Sequence, residues 1–170
     1  MKITGKIWKY GDDVNTDYIF PGVYTYMTLT EEEMGKHAME GLDPDFTQNA
    51  APGDIIVAGK NWGCGSSREQ AVKCLRARGI AALVASSVAR INFRNSINEG
   101  FPVIICPEAV RTTEPDDTIT IDFDRGVVSN RSGDYSFAPY NAQIQAIMNC
   151  GGLIPYIKES LKQRGKLRQA

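Results

Sequence analysis

Hydrophobic and polar positions alternate, cluster and wind at different periods along the chain, and each change of period marks an element. Residues 2–10 alternate around Ile3, Ile7 and Trp8 and stop at Gly11-Asp12-Asp13, the pattern of a strand running into a turn. A polar loop carrying Asn15-Thr16-Asp17-Tyr18 follows. Next come a Pro21-Gly22 turn and the aromatic-rich segment Val23-Tyr24-Thr25-Tyr26-Met27-Thr28, which has no clear strand period. Thr30, with Glu33 one helical turn further on, has the form of a capping box and predicts a short helix to about Glu40, stopped by Gly41. Pro52-Gly53 is a further turn.

Ile55-Ile56-Val57-Ala58 is an uninterrupted apolar run of the kind shown by a strand buried on both faces. Past the loop 59–65, Ala71, Cys74 and Leu75 fall at helical spacing and predict a helix from Ser66 to about Arg78, stopped by Gly79. Residues 80–85 read as a second buried strand, Ser86 or Ser87 as the cap of a helix through Asn98, and residues 101–106 as a third strand. This βαβαβ centre implies parallel strands with right-handed crossovers. After Pro107 the period drops to two. Thr118-Ile119-Thr120-Ile121-Asp122-Phe123 alternates, Asp124-Arg125-Gly126 turns, Val127-Val128 returns and a short strand surrounds Tyr135 and Phe137, all suited to antiparallel pairing with one wet face. Residues 141–150 form a last helix closed by Gly151-Gly152, and residues 158–170, with five Lys or Arg against one Glu, read as a basic solvated tail. The expected architecture is one α/β domain over residues 1–170, with antiparallel strands added to a parallel centre.

Composition narrows the chemistry. A chain of 170 residues that is 42% hydrophobic and 23% charged can bury one sizeable core. Nineteen Lys and Arg against twenty Asp and Glu leave a net charge of -1, so no basic field exists to hold nucleic acid. No run of about 18 apolar residues and no apolar leader follows Met1, so a cytoplasmic location away from membranes is expected. Cys64, Cys74, Cys106 and Cys150 are scattered without a CxxC pair and read as reduced thiols rather than metal ligands. His37, the only histidine, makes zinc sites and histidine-dependent nucleophiles poor candidates and reads as a helix-surface residue. GxSxG, dinucleotide-fingerprint and Walker A patterns are absent.

The informative segment is Gly63-Cys64-Gly65-Ser66-Ser67-Arg68-Glu69. Its glycines bring main-chain N–H groups close to a ligand, a helix N-terminus presents partial positive charge, and Arg68 adds a planar cation suited to a carboxylate. The alternative is structural, with Ser66 and Glu69 forming a capping box. Arg68 weighs against that alternative, because a cation in a first turn opposes the helix dipole.

Three separated motifs, Gly11-Asp12-Asp13-Val14-Asn15-Thr16-Asp17, Asn61-Trp62-Gly63-Cys64-Gly65-Ser66-Ser67-Arg68-Glu69-Gln70-Ala71 and Ala89-Arg90-Ile91-Asn92-Phe93-Arg94-Asn95-Ser96, stand in this order. Together they resemble the small subunits of 3-isopropylmalate dehydratase and homoaconitase, the swivel-domain half of the aconitase superfamily. The resemblance spans residues 2–165 and implies the swivelling β/β/α fold. It also implies a hydro-lyase reaction on a small hydroxy-dicarboxylate or tricarboxylate, and a 4Fe-4S cluster carried by a separate large subunit, with no metal bound by this chain. By motif position Ser66 is the catalytic base, and Gly65, Ser67 and Arg68 bind substrate. Asp17, Arg90 and Arg94 are candidates for supporting the site or for the interface with the large subunit.

The pattern departs in two places. Homoaconitase-like members place an arginine in the loop after Pro21-Gly22, where this chain has Tyr24-Thr25-Tyr26-Met27, with Tyr26 at the arginine's position. A distal carboxylate would lack its partner there, a costly state for a buried charge. The resemblance therefore points to an apolar substituent such as isopropyl, met by Tyr24, Thr25, Tyr26 and Met27, with a methylated malate, citraconate or homocitrate as alternatives. Gln70 stands where many relatives have histidine. Two rivals of other classes are a free-standing carboxylate-binding domain and an RNA-binding regulator, the second opposed by the balanced charge.

Overall fold

In the computed structural model, which describes residues 1–167, seven strands form one mixed sheet in the order β4-β3-β2-β1-β5-β6-β7. Strand β1 (Lys2–Tyr10) is shared by both halves. Its second half, Ile7 to Tyr10, runs parallel to β2 (Ile55–Ala58), and its first half, Lys2 to Lys6, pairs antiparallel with β5 (Thr118–Asp122). Strands β3 (Ala82–Ala85) and β4 (Val103–Ile105) extend the parallel half, and β6 (Val127–Asn130) and β7 (Gly133–Ser136) the antiparallel one.

The parallel strands are apolar throughout because both faces are covered. Ile56, Ala58, Leu83 and Ala85 belong to one buried cluster with Phe20, Phe46, Trp62 and Leu75. Ile55, Val57, Ala82 and Val84 belong to a second with Ala109, Val110, Ile119, Ile121 and Val128. The first cluster lies beneath α1 (Thr16–Ile19), α2 (Glu31–Lys36), α3 (Pro44–Asn49) and α4 (Gln70–Ala77). The crossover after β3 is α5 (Arg90–Asn98), and α6 (Pro107–Thr112) covers the second cluster. Helices α7 (Ala142–Asn149) and α8 (Leu153–Leu167) complete the described chain. Among the described residues no helix is long and apolar enough to cross a membrane.

Several expected boundaries move. The capping box of Thr30 and Glu33 is present, but α2 ends at Lys36, where His37 is its C-cap. Helix α4 begins at Gln70 rather than Ser66, and Glu69 makes no cap hydrogen bond, so no capping box joins Ser66 and Glu69. Helix α5 begins at Arg90, and Ser87 instead accepts the Asn61 N–H at 2.8 Å. The region expected to be a tail is helical from Leu153 to Leu167, and residues 168–170 of that expectation lie outside the described residues.

Strand β4 is an edge, and one side chain closes it. The Tyr140 hydroxyl donates to the Val103 carbonyl at 2.6 Å and accepts the Val103 N–H at 2.8 Å. Tyr140→Phe leaves both groups of the buried Val103 unpaired and is expected to cost about 1–3 kcal/mol in denaturant unfolding. Burial pushes the Tyr140 phenol up to about 12 from an ordinary value of 10.0. Its contribution to stability is therefore whole below pH 10 and is lost as the pH rises towards about 12, and the Phe variant should lose that part of the slope.

Candidate active site

Ligand sites on parallel sheets gather beyond the C-terminal ends of the strands. Here the loops after β1, β2 and β3 are joined by main-chain hydrogen bonds past the regular sheet. Gly63 N–H donates to Val14 O at 2.8 Å, Thr16 N–H to Cys64 O at 2.9 Å, Trp62 N–H to Ser87 O at 3.1 Å and Ala89 N–H to Trp62 O at 2.9 Å. Gly63 has a φ of +70°, and a Cβ there would lie 2.2 Å from the Asn92 Cγ of α5, so both backbone and space require glycine. Gly65, at φ +95°, turns the chain into Ser66-Ser67-Arg68.

These three residues belong to no helix or strand and are held by side chains from two directions. Thr16, itself 1% exposed, accepts the Ser66 N–H at 3.0 Å through its hydroxyl. Asn95 of α5 donates its amide to Ser67 O at 3.0 Å. The Arg68 Nη2 lies 2.6 Å from an Asp17 carboxylate oxygen and 3.5 Å from the Thr16 hydroxyl. Asp17 is placed by Asn15, whose side chain accepts the N–H groups of Asp17 and Tyr18 as the N-cap of α1. The Arg68 side chain is 17% exposed, and its buried Nε–H has no partner among the described residues.

Beside the loop lies an open cavity of about 440 Å³. One wall is mostly apolar, made of Phe20, Tyr24, Met27, Leu29 and Met34 with Thr28 among them, and the other is polar, made of Ser67, Arg68, Glu69, Gln70 and Lys73. The cations of the polar wall already face carboxylates: Arg68 meets Asp17, and the Lys73 ammonium lies 3.2 Å from Glu69 and 3.5 Å from Glu99. Burial opposes the charge on Lys73, but the two glutamates outweigh it and hold its pKa above the ordinary value. Ser66 is half-buried and stands outside the cavity wall.

The loop 21–30 is seated by Tyr24, which donates to Glu40 at 3.0 Å and stacks on His37 with ring centroids 3.8 Å apart. His37 is therefore a packed partner of this loop rather than a free surface residue. The expected group Tyr24, Thr25, Tyr26 and Met27 divides: Tyr24 and Met27 line the cavity, Thr25 is half-buried, and Tyr26 is 97% exposed and away from the wall. Thr16, Asn95, Leu29, Met34 and Lys73 were not singled out by the sequence. A signal existed for Asn95, since Asn92, Asn95 and Ser96 repeat at helical spacing on a face that is buried.

Residues 18–108 match the aconitase C-terminal domain family. The 3-isopropylmalate dehydratase small subunit of Heliobacterium modesticaldum is 46% identical over 160 residues, covering 93% of this chain and 96% of that one. The small subunit of the same name from Aquifex aeolicus is 44% identical over 167 residues, covering 96% and 99%. The chain belongs to the 3-isopropylmalate dehydratase small-subunit family. The crystal structure of 3-isopropylmalate dehydratase from Methanocaldococcus jannaschii superposes with a TM-score of 0.92 at 38% identity, covering 98% of this chain and 99% of that one. This sets the fold as the mixed α/β architecture of that family and the chain as the small subunit of a hydro-lyase, with a large-subunit partner.

The aconitase relationship brings an iron–sulfur cluster into the chemistry. Cys74 and Cys106 are buried, Cys64 is half-buried and Cys150 is exposed, and among the described residues no three His, Cys, Asp or Glu side chains converge as a ligand set. Burial pushes the Cys74 thiol well above its ordinary range, away from the thiolate a cluster needs. The described residues do not fit the cluster.

Proposed function

We propose that this chain completes, with its large subunit, a dehydratase for a hydroxy-dicarboxylate bearing an apolar substituent, with isopropylmalate as the substrate. The observation that carries the reading is the cavity beside Ser67 and Arg68, mostly apolar on one wall and charge-balanced on the other. An isopropyl group against Met27, Leu29 and Met34 leaves water without leaving any polar group unpaired. A distal carboxylate in the same space would meet Glu69 and a lysine already shared by two glutamates.

In this reading Ser66 removes the proton from the carbon beside a substrate carboxylate. Negative charge builds on that carboxylate as the proton leaves, and the Arg68 guanidinium at the cavity wall stabilises it more in the transition state than in the ground state. The proton passes to the Ser66 oxygen and the hydroxyl departs on the partner's side of the cleft, so that the substrate loses water overall. A serine serves as base only where positive charge favours its alkoxide, which Arg68 supplies from within the same loop. The cluster, on this reading, is held by the large subunit, and the assembled enzyme works in the cytoplasm.

The face that meets the partner is read from α5. Arg90 and Arg94 are exposed, have no acidic partner among the described residues and border a hollow of about 270 Å³ with Val88, Phe93 and Ile105. Reversing both charges, Arg90→Glu with Arg94→Glu, is expected to weaken assembly at least about tenfold, more at low salt, while the isolated chain keeps its melting temperature. Sedimentation against the large subunit measures this. Assembly unchanged at low salt would remove α5 from the interface.

Substrate choice is tested by kcat/KM of the assembled enzyme for isopropylmalate, a methylated malate and homocitrate. Preference for isopropylmalate over homocitrate by about tenfold or more is expected. Preference for the tricarboxylate would overturn the cavity argument.

A further inference from the structure

The loop Gly65-Ser66-Ser67-Arg68 belongs to no helix or strand, so its geometry is set by whatever accepts and donates its hydrogen bonds. One oxygen does so for both ends of the catalytic segment. The Thr16 hydroxyl accepts the Ser66 N–H at 3.0 Å and lies 3.5 Å from the Arg68 Nη2, so the serine's main chain and the guanidinium are referenced to a single atom. Thr16 is itself fixed: it is 1% exposed, its N–H is tied to Cys64 O at 2.9 Å, and its neighbours Asn15 and Asp17 cap α1 and hold Arg68. Gly65 makes the approach through its backbone, whose φ of +95° lies in the left-handed region that favours glycine.

On the proposed role of Ser66, we infer that Thr16 is a positioning residue for the dehydration, its hydroxyl setting where the Ser66 base and the Arg68 cation stand relative to the substrate. Asn95 braces the same segment from the opposite side through Ser67 O. Hydrogen-bonded groups on rigid elements locate a reacting atom to within a fraction of an ångström, and displacement by about 1 Å costs on the order of 10²-fold in rate. A structural filler would show no such sensitivity.

The test uses the assembled two-subunit enzyme with isopropylmalate and compares Thr16→Val, which keeps the shape and removes the acceptor, with Thr16→Ser, which keeps the acceptor. Thr16→Val is expected to lower kcat per assembled complex about 10²-fold with KM changed by less than about fivefold, and Thr16→Ser to recover most of the rate. Melting temperature and affinity for the large subunit are measured alongside, so a folding defect is separated from a rate defect. Wild-type kcat in Thr16→Val overturns the inference, and so does a Thr16→Ser enzyme that assembles fully yet is as slow as the valine form. If Thr16→Val fails to fold, the serine form must still turn over near the wild-type rate while Thr16→Ala, which removes the acceptor with less bulk, does not; equal rates for these two overturn the inference. Ser66→Ala in the same assay keeps the readings apart: if it is active, the base assignment fails, whereas an inactive Ser66→Ala beside a fully active Thr16→Val retires the role of Thr16 alone.

Discussion

Ser66→Ala is expected to remove turnover by about 10²–10⁴-fold, the range a lost general base produces, while leaving the chain folded and able to assemble. The separation of the two effects follows from the local geometry. Read as the first residue of a helix, Ser66 would cap it, and alanine would cost about 1 kcal/mol of stability. In the structure α4 starts at Gln70 and the bond that holds Ser66 uses its main-chain N–H, which alanine retains. Stability should therefore change by less than about 0.5 kcal/mol, and unfolding and kinetics measured on one preparation check both halves. Substantial residual activity would refute the base assignment, and a large loss of stability would refute the account of what holds the loop.

Arg68→Lys is the second large effect. Lysine keeps the charge but replaces a planar fork with a point donor on a flexible stem. With Nη2 engaged by Asp17 and close to the Thr16 hydroxyl, the guanidinium keeps its remaining donors in a fixed plane, whereas a single ammonium would have to serve every partner from one point. A fall in kcat/KM of about 10²-fold or more is expected, shared between a higher KM and a lower kcat, because the same group meets the carboxylate before and during proton removal. Asp17 is 62% exposed, so losing this ion pair should cost at most about 1 kcal/mol of stability. A lysine variant with unchanged kcat/KM would place the substrate carboxylate elsewhere.

The parallel centre was legible because Ile55 to Ala58 and Ala82 to Ala85 are buried on both faces, which leaves a continuous apolar run in the sequence. The serine loop was legible as a motif but not as a geometry. Ser66 and Glu69 have capping-box spacing, but a tertiary partner outcompetes that local arrangement: Thr16, 50 residues away and with no sequence period to announce it, takes the Ser66 N–H, while the Glu69 carboxylate turns to Lys73 four residues on. Helices α3 and α6 were not read from the sequence, since each is six residues long and too short to show a helical stripe, and Pro44 and Pro107 at their first positions are the marks they leave. Residues 158–170 were read as a tail because of their charges, whereas their described part, to Leu167, belongs to helix α8. The loop 21–30 carried its aromatic residues openly, but which of them border the cavity was not readable: Tyr24 stacks on His37 and lines it, Met27 lines it while staying exposed, and Tyr26 stands in solvent.

The central claim is that this chain brings the base and the carboxylate-binding arginine to a site completed by a second subunit. Its most direct test follows the absorbance of the unsaturated product under anaerobic conditions, with isopropylmalate added to this chain alone, to an iron–sulfur large subunit alone, and to the two together. Product only in the mixture, lost again with Ser66→Ala, is the predicted result. Equal product from the large subunit alone, or none from a mixture shown to assemble with an intact cluster, would contradict the account and leave the loop as a carboxylate-binding site without the chemistry.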